Sequence, residues 1–340
     1  MMFSKPALGL LLLVAMLVPD SALADLDTCA APEERHPTLP FQGTGLLGNP
    51  ADCSATQNNP DPIYDPSNGQ MTIPVVVHLI MDDTCSDGAH SDAVVQQQID
   101  ILNQDFLALP ESPGAPGVNT QIRFELAHSD PDGNPTTGIT RSCNSTWFDD
   151  AGDYWMTLSW DPTRYLNLYS NGAGGARGYV PFLPAAGNAM VGDPSDRVVV
   201  NWQAFGPGGP VPAHTMGRTA THEIGHYLGL WHPFYQSCGI STPPDCSTTG
   251  DLICDTAPDE MASDLCPVGE TSCGGFLVPI DNYMEYTDDP CMDGFTFEQG
   301  LRMRCTLEHY RPGLASILEG TVFVDGFESG DTSSWSSGTP

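Results

Sequence analysis

Five residues in one short stretch have the types and spacing of a reaction centre: His222, Glu223, His226, Gly229 and His232, within His222-Glu223-Ile224-Gly225-His226-Tyr227-Leu228-Gly229-Leu230-Trp231-His232. On a helix, histidines four apart lie one above the other with Cβ atoms about 5–6 Å apart, so both imidazoles can reach one zinc ion. Gly229 comes one turn later, where a glycine can adopt the left-handed conformation that ends a helix and turns the chain. His232 then returns as a third ligand. Three neutral imidazoles leave the fourth position on zinc to a water, whose pKa the metal lowers toward 7. Glu223 is placed to take that water's proton and later hand it to a leaving amine. The plainer alternative is a helix face of histidines, or a zinc that only braces the fold. Structural zinc sites close the fourth position with a protein ligand, and a glutamate beside the first histidine has no use in one.

The elements that must position these residues can be read from periodicity. Residues 72–81 (TIPVVVHLIM) form an apolar run of the buried-strand type. Residues 91–109 place Val94, Val95, Ile99, Leu102, Phe106 and Leu107 on one helical stripe, with Ser91 or Asp92 as cap. Strand-like runs follow at 121–127, 165–169, 177–182 and 197–202, separated by turn-formers such as Asp130-Pro131-Asp132-Gly133. A strand, a helix, several strands and one more helix predict an α+β fold, a twisted mixed sheet backed by helices. Residues 1–24 read as a signal peptide, 25–70 as a pro-segment or linker, 71–316 as the catalytic domain and 317–340 as a Gly/Ser-rich tail. The catalytic domain divides into an upper part to about residue 229 and a lower part over 230–316.

Charge and cysteines set the compartment and the partners. The chain has 43 acidic against 11 basic side chains, a net charge of −32, and its only lysine, Lys5, lies in the leader. Nucleic acid and anionic membranes are excluded as partners, because binding either depends on lysine and arginine; cations and basic peptide segments fit instead. The apolar run from Ala7 to Val18 is too short for a span of roughly 20 residues, and no later stretch comes close, so a secreted, extracellular protein is expected; a monomer is expected too, although nothing in the sequence sets the oligomeric state. Eleven cysteines in an exported chain predict disulfides, and seven of them fall between Cys238 and Cys305, which predicts a stapled, loop-rich last third. The odd count leaves one thiol over. Asn144-Ser145-Thr146 is a glycosylation sequon, relevant in a eukaryotic source.

Further motifs carry a resemblance. Asp281-Asn282-Tyr283-Met284-Glu285-Tyr286-Thr287-Asp288-Asp289 is similar to the NYMxYxDD segment of the pappalysin family of metzincin metallopeptidases, Gly250-Asp251 with Asp255-Thr256 is similar to its GDxVxDTP stretch, and the histidine motif matches throughout. The likeness covers roughly residues 72–312. It implies a metzincin fold with a disulfide-rich C-terminal subdomain, and a zinc endopeptidase acting on protein and peptide substrates; the rival reading is a secreted binding or adhesion module that keeps metals for stability alone.

By that resemblance Met284 is the apolar floor under the zinc ligands and Tyr286 steadies the oxyanion of the tetrahedral intermediate. Gly174-Gly175-Ala176-Arg177-Gly178-Tyr179-Val180 resembles the entry to the edge strand along which substrate lies extended. The family's calcium site implicates Asp251 and the Thr256 backbone. Pro258 stands where the family has an acidic ligand, so Asp259 or Glu260 would substitute, a solvated acidic loop being the other reading. Family register pairs Cys246 with Cys273 and Cys266 with Cys291; Cys238 with Cys254 and Cys85 with Cys143 are guesses. Thr28-Cys29-Ala30-Ala31-Pro32 resembles the family's cysteine-bearing pro-segment, which gives Cys29 the role of a zinc-blocking switch in a zymogen, although Cys53 or Cys305 could equally be the unpaired thiol. Ulilysin-like members prefer a basic residue just after the scissile bond through an aspartate immediately before the next cysteine. That position is Pro290 here, so a broader preference is expected, unless Asp288, Asp289 or Asp293 restores the charge.

Overall fold

The computed structural model describes Cys53 and residues 64–185, 188–240, 244–246 and 248–318. The expected signal peptide, Cys29 and the expected tail beyond residue 318 therefore lie outside the described residues, as does most of the 25–70 segment.

The framework is a seven-stranded sheet built around β1 (Gln70–Met81), whose β-branched run is buried almost from end to end. One edge of β1 pairs in parallel with β2 (Ile122–Leu126) and then β3 (Ile139–Cys143). Its other edge pairs in parallel with β4 (Leu166–Asn171), which continues to β6 (Val198–Asn201). The short β5 (Gly178–Tyr179) ends the order and runs antiparallel to β6. A parallel sheet covered on its faces needs near-continuous apolar strands, which is why β1 and β6 lack a polar alternation, while β4 buries Asn167, Ser170 and Asn171 among its apolar residues.

Helix α1 (Asp92–Phe106) is capped by the Ser91 side chain, which accepts from Val94 N, and lies against β2. Helix α2 (Arg218–Tyr227) carries the first two histidines and packs on α1, β5 and β6. The hairpin β7 (Thr271–Ser272) and β8 (Phe276–Leu277) follows, then α3 (Phe297–His309) with a full capping box between Thr296 and Gln299. The chain returns as β9 (Ser316–Leu318), antiparallel to the start of β1, so the boundary expected at residue 316 falls inside a strand. No helix among the described residues is long and apolar enough to cross a membrane.

The scarce arginines act as internal ties. Arg302 donates to the carbonyls of Asp251 and Leu252, and Arg304 to those of Tyr64 and Thr120. Arg311 pairs with Asp196 and lies 3.5 Å over the Tyr227 ring. Buried charges of this kind are tolerable only when paired or fully hydrogen-bonded.

Five disulfides staple the described chain. Cys53 joins Cys305 on α3, and the two are buried together with Tyr64 and Leu301, so the expected linker is anchored to the domain at these points. Cys85 joins Cys143, and Cys266 joins Cys291. The other two differ from expectation, one pairing having come from family register and one from a guess. Cys238 pairs with Cys273 and Cys246 with Cys254, replacing the expected Cys246–Cys273 and Cys238–Cys254. The reason is local: the loop after Asp245 turns tightly, with Thr248 N and the Thr249 hydroxyl both donating to Asp245 O, and this brings the Cα atoms of Cys246 and Cys254 to 4.9 Å.

Candidate metal centre and active site

Helix α2 ends as the motif requires. Gly229 has φ +93°, and Leu230 N donates to Gly225 O while the chain turns. A Cβ at Gly229 would sit 2.6 Å from the Thr306 hydroxyl of α3, so glycine is needed there for space as well as conformation. The turn delivers His232 to the other two histidines. The three Nε2 atoms lie 3.1, 3.1 and 2.9 Å from one another, and all three side chains are buried.

These contacts are not hydrogen bonds. His222 Nδ1 donates to Tyr283 O at 2.7 Å and His226 Nδ1 to Leu230 O at 2.8 Å, so the neutral rings turn Nε2 lone pairs toward one point. Burial holds all three imidazoles below their ordinary range, His226 down to about 4, which keeps them in the neutral, ligating form at pH 7. Converging lone pairs repel one another unless a cation lies between them. Tetrahedral nitrogen ligands on zinc at about 2.0–2.1 Å stand about 3.3 Å apart, close to what is found, so the cluster fits that ion. Among the described residues it is also the one group of three or more metal-binding side chains close enough to share an ion.

Glu223 is fully buried beside the cluster. Its carboxylate rests against β5: a Cβ at Gly178 would lie 2.7 Å from Glu223 Cγ and 2.8 Å from Oε1. The glycine at 178 is thus what lets the acid lie under the sheet's edge. Beneath the histidines, Met284 packs so closely on α2 that a Cβ at Gly225 would collide with its thioether. The Tyr286 ring lies 5.7 Å from that of His222 and 4.8 Å from that of His232, and Phe234 stacks on His232 at 4.6 Å.

A buried polar network locks these pieces together. Asp105 of α1 accepts from Thr221 Oγ1 and from the Tyr283 hydroxyl, both at 2.7 Å, and faces Arg218 at 3.7 Å. Burial raises the Asp105 pKa, opposed mainly by the Arg218 charge. Gln98, also on α1, accepts from Gly206 N and donates to Gly217 O at the start of α2. On the far side, Gln299 bonds both Asn282 and Asp251, and Asn282 accepts from Met284 N. Asp251 is buried and its pKa is pushed up to about 7 by that burial, with Arg302 beside it.

Residues 151–308 match the family profile described as pregnancy-associated plasma protein-A. The extracellular metalloprotease of Pyricularia oryzae is 34% identical over 252 residues, 72% of this chain and 77% of its own. Extracellular metalloprotease 1 of Coccidioides posadasii is 35% identical over 232 residues, 67% of this chain and 73% of its own. This chain belongs to the pappalysin family of metzincin metallopeptidases. Among solved structures, mature mirolysin of Tannerella forsythia in complex with a cleaved peptide shares 33% identity with a TM-score of 0.59, over 72% of this chain and 96% of that one.

A pappalysin is a metalloendopeptidase, and the family implies zinc. The fold is the mixed α+β sheet expected. Sequence reasoning missed Asp105, Gln98 and Arg218, although polar residues at 98 and 105 on the otherwise apolar stripe of α1 were a usable signal. It also missed the cavity beside His222 and Tyr286, lined by Arg177, His214, Arg218, Glu285 and Asp289 among others. Of the acids weighed as replacements for Pro290, Asp289 lies in that wall. Its Oδ2 accepts from Met216 N and Arg218 N, and its Oδ1 faces His214, so the carboxylate is already occupied.

Proposed function

We propose that this pappalysin is a secreted endopeptidase in which His222, His226 and His232 hold one zinc ion, Glu223 moves the proton and Tyr286 steadies the oxyanion. The observation that carries this reading is the convergence of three buried Nε2 lone pairs. Secretion is supported by the apolar leader and by curated relatives named extracellular metalloproteases.

Zinc when bound supplies an acidified water and polarises the scissile carbonyl. The chain supplies the rest. A substrate segment lying extended along β5 would add a strand to the sheet's edge, which carries its scissile bond past Glu223 beneath Gly178. The Glu223 carboxylate accepts the proton released on attack and returns it to the amide nitrogen as that bond breaks. The Tyr286 hydroxyl donates to charge that develops on the carbonyl oxygen in the transition state. Met284 gives the ligands an apolar floor that does not compete for the metal.

The test is metal analysis beside peptide cleavage. One zinc per chain is expected, with ortho-phenanthroline abolishing cleavage of a denatured protein and added zinc restoring it. Cleavage that persists after zinc is stripped would discard the reading.

For calcium the support is the acidity of the 255–260 loop alone, since the Asp251 carboxylate is engaged by Gln299 and Ile253 N. Latency through Cys29 gains support from the cysteine count: ten of the eleven are joined in pairs, including Cys53 to Cys305, which leaves Cys29. We expect zinc-edge absorption of the full chain to show one sulfur ligand, lost when Cys29→Ser is introduced. A shell of nitrogen and oxygen in the unaltered chain would remove the switch.

A further inference from the structure

The three histidines of the metal centre are not held alike. His222 Nδ1 donates to Tyr283 O at 2.7 Å and His226 Nδ1 to Leu230 O at 2.8 Å, which fixes how each ring is turned. His232 is just as buried, but among the described residues its Nδ1 has no such acceptor, its hydrogen-bond-range contacts being those of Nε2 with the other two rings. Metal-binding histidines are almost always oriented through the second ring nitrogen, so another kind of contact must orient this one.

That contact is an aromatic ring. Phe234, half-buried, lies face to face with His232, the centroids 4.6 Å apart and the planes 9° from parallel. The same ring meets Tyr286 edge-on at 5.0 Å, and Tyr286 meets His232 edge-on at 4.8 Å. Each of the three rings therefore touches the other two. The arrangement is built locally: Pro233 fixes its own φ and biases His232 toward an extended backbone. Tyr235 N donates to His232 O at 3.0 Å and Asp259 N to Pro233 O at 3.1 Å, which holds the turn that carries residue 234 back over residue 232.

Resting on the zinc reading above, we propose that Phe234 is a positioning residue of the metal centre: its ring does for His232 what the carbonyls of Tyr283 and Leu230 do for the other two ligands, and it holds Tyr286 beside them. Stacking suits this task because its strength follows the metal. An imidazole that gives its Nε2 lone pair to zinc becomes electron-poor, and the negative face of a phenyl ring attracts an electron-poor partner more than a neutral one. The contact therefore tightens when zinc binds. Ordinary packing would contribute equally with and without the ion, and an aliphatic side chain of similar size fills the space without offering the face.

Zinc affinity tests this without any cleavage. It is measured by competition with a chromophoric chelator, on the full chain carrying Cys29→Ser so that no thiolate competes for the ion. Phe234→Leu should weaken zinc binding at least about tenfold, the low end for losing a group that orients a metal ligand. Phe234→Tyr keeps the planar face and should bind zinc as the unaltered ring does. With the metal stripped, the leucine variant should unfold at the same urea concentration as its parent. With zinc saturating, it should turn over an extended peptide more slowly at unchanged KM, because Tyr286 is loosened while the strand-forming edge at β5 is untouched. Equal zinc affinity in Phe234→Leu and its parent, an equal loss in Phe234→Tyr and Phe234→Leu, or a metal-free urea midpoint that falls as far as the zinc-bound one would overturn the role of Phe234. Tenfold weaker zinc binding in Phe234→Leu, in a protein that cleaves nothing even when loaded, would keep the inference and remove the endopeptidase reading instead.

Discussion

Glu223→Gln lowers peptide-bond turnover by at least about 10²-fold while zinc content stays at one ion per chain. The carboxylate is buried, lies one residue after the first histidine and rests under Gly178, so the amide of glutamine fits the same space without opening a cavity. What the substitution removes is basicity. An amide oxygen cannot hold the proton released during attack, and the loss appears in kcat while KM for an extended peptide changes little, since the strand-forming contacts along β5 are untouched. The measurement is steady-state cleavage of a quenched fluorescent peptide, with zinc counted in the same preparation. A variant that holds zinc and turns over at the original rate would assign the proton transfer to another group.

The second large effect concerns stability. Asp105→Ala is expected to cost about 3–5 kcal/mol, read as a lower urea midpoint with an unchanged slope. The substitution leaves the Tyr283 hydroxyl and the Thr221 hydroxyl without their acceptor and leaves the buried Arg218 guanidinium without the carboxylate that faces it. Unpaired buried groups cost more than the bonds they made were worth. Asp105→Asn, which keeps an acceptor oxygen, should lose clearly less. Function follows stability here, because Tyr283 O orients His222 and Thr221 precedes it on α2. Zinc affinity should therefore fall in Asp105→Ala. Equal midpoints for the alanine variant and the unaltered protein would show that the network is not needed to hold the helix.

How far these sites could be read from sequence depends on where their information is stored. The zinc cluster is local: an i, i+4 pair, one glycine and a third histidine within eleven residues fix its geometry on a single helix and turn. Strands β1 and β6 and helix α1 were legible because continuous apolar runs and a 3.6-residue stripe survive in sequence; α1 was expected at 91–109 and runs over Asp92–Phe106. Helix α3 was not anticipated, although Thr296 and Gln299 form a capping box, because its buried face holds Arg302, Arg304 and Thr306 and hides the apolar period. Strands β3 and β9 have too few residues and too little alternation to stand out alone, and each owes its conformation to pairing with β1. Asp105 and His214 are long-range: each gains meaning only from partners more than 70 residues away in the chain. Cysteine pairing is of the same kind: family register found Cys266–Cys291 but misassigned Cys246 to Cys273, and the guess of Cys238 with Cys254 failed for the same reason.

The Cys53–Cys305 bond spans a separation of 252 residues and closes nearly the whole catalytic unit into one covalent circle. A circle cut once is still a single piece. Any nick between residues 53 and 305, at an exposed loop such as the one carrying Met261, Leu265 and Val268, leaves both fragments joined and their buried faces in register. For a peptidase released among other peptidases, and among copies of itself, this turns the first cut in the chain from a loss of the molecule into a scar that the fold can carry.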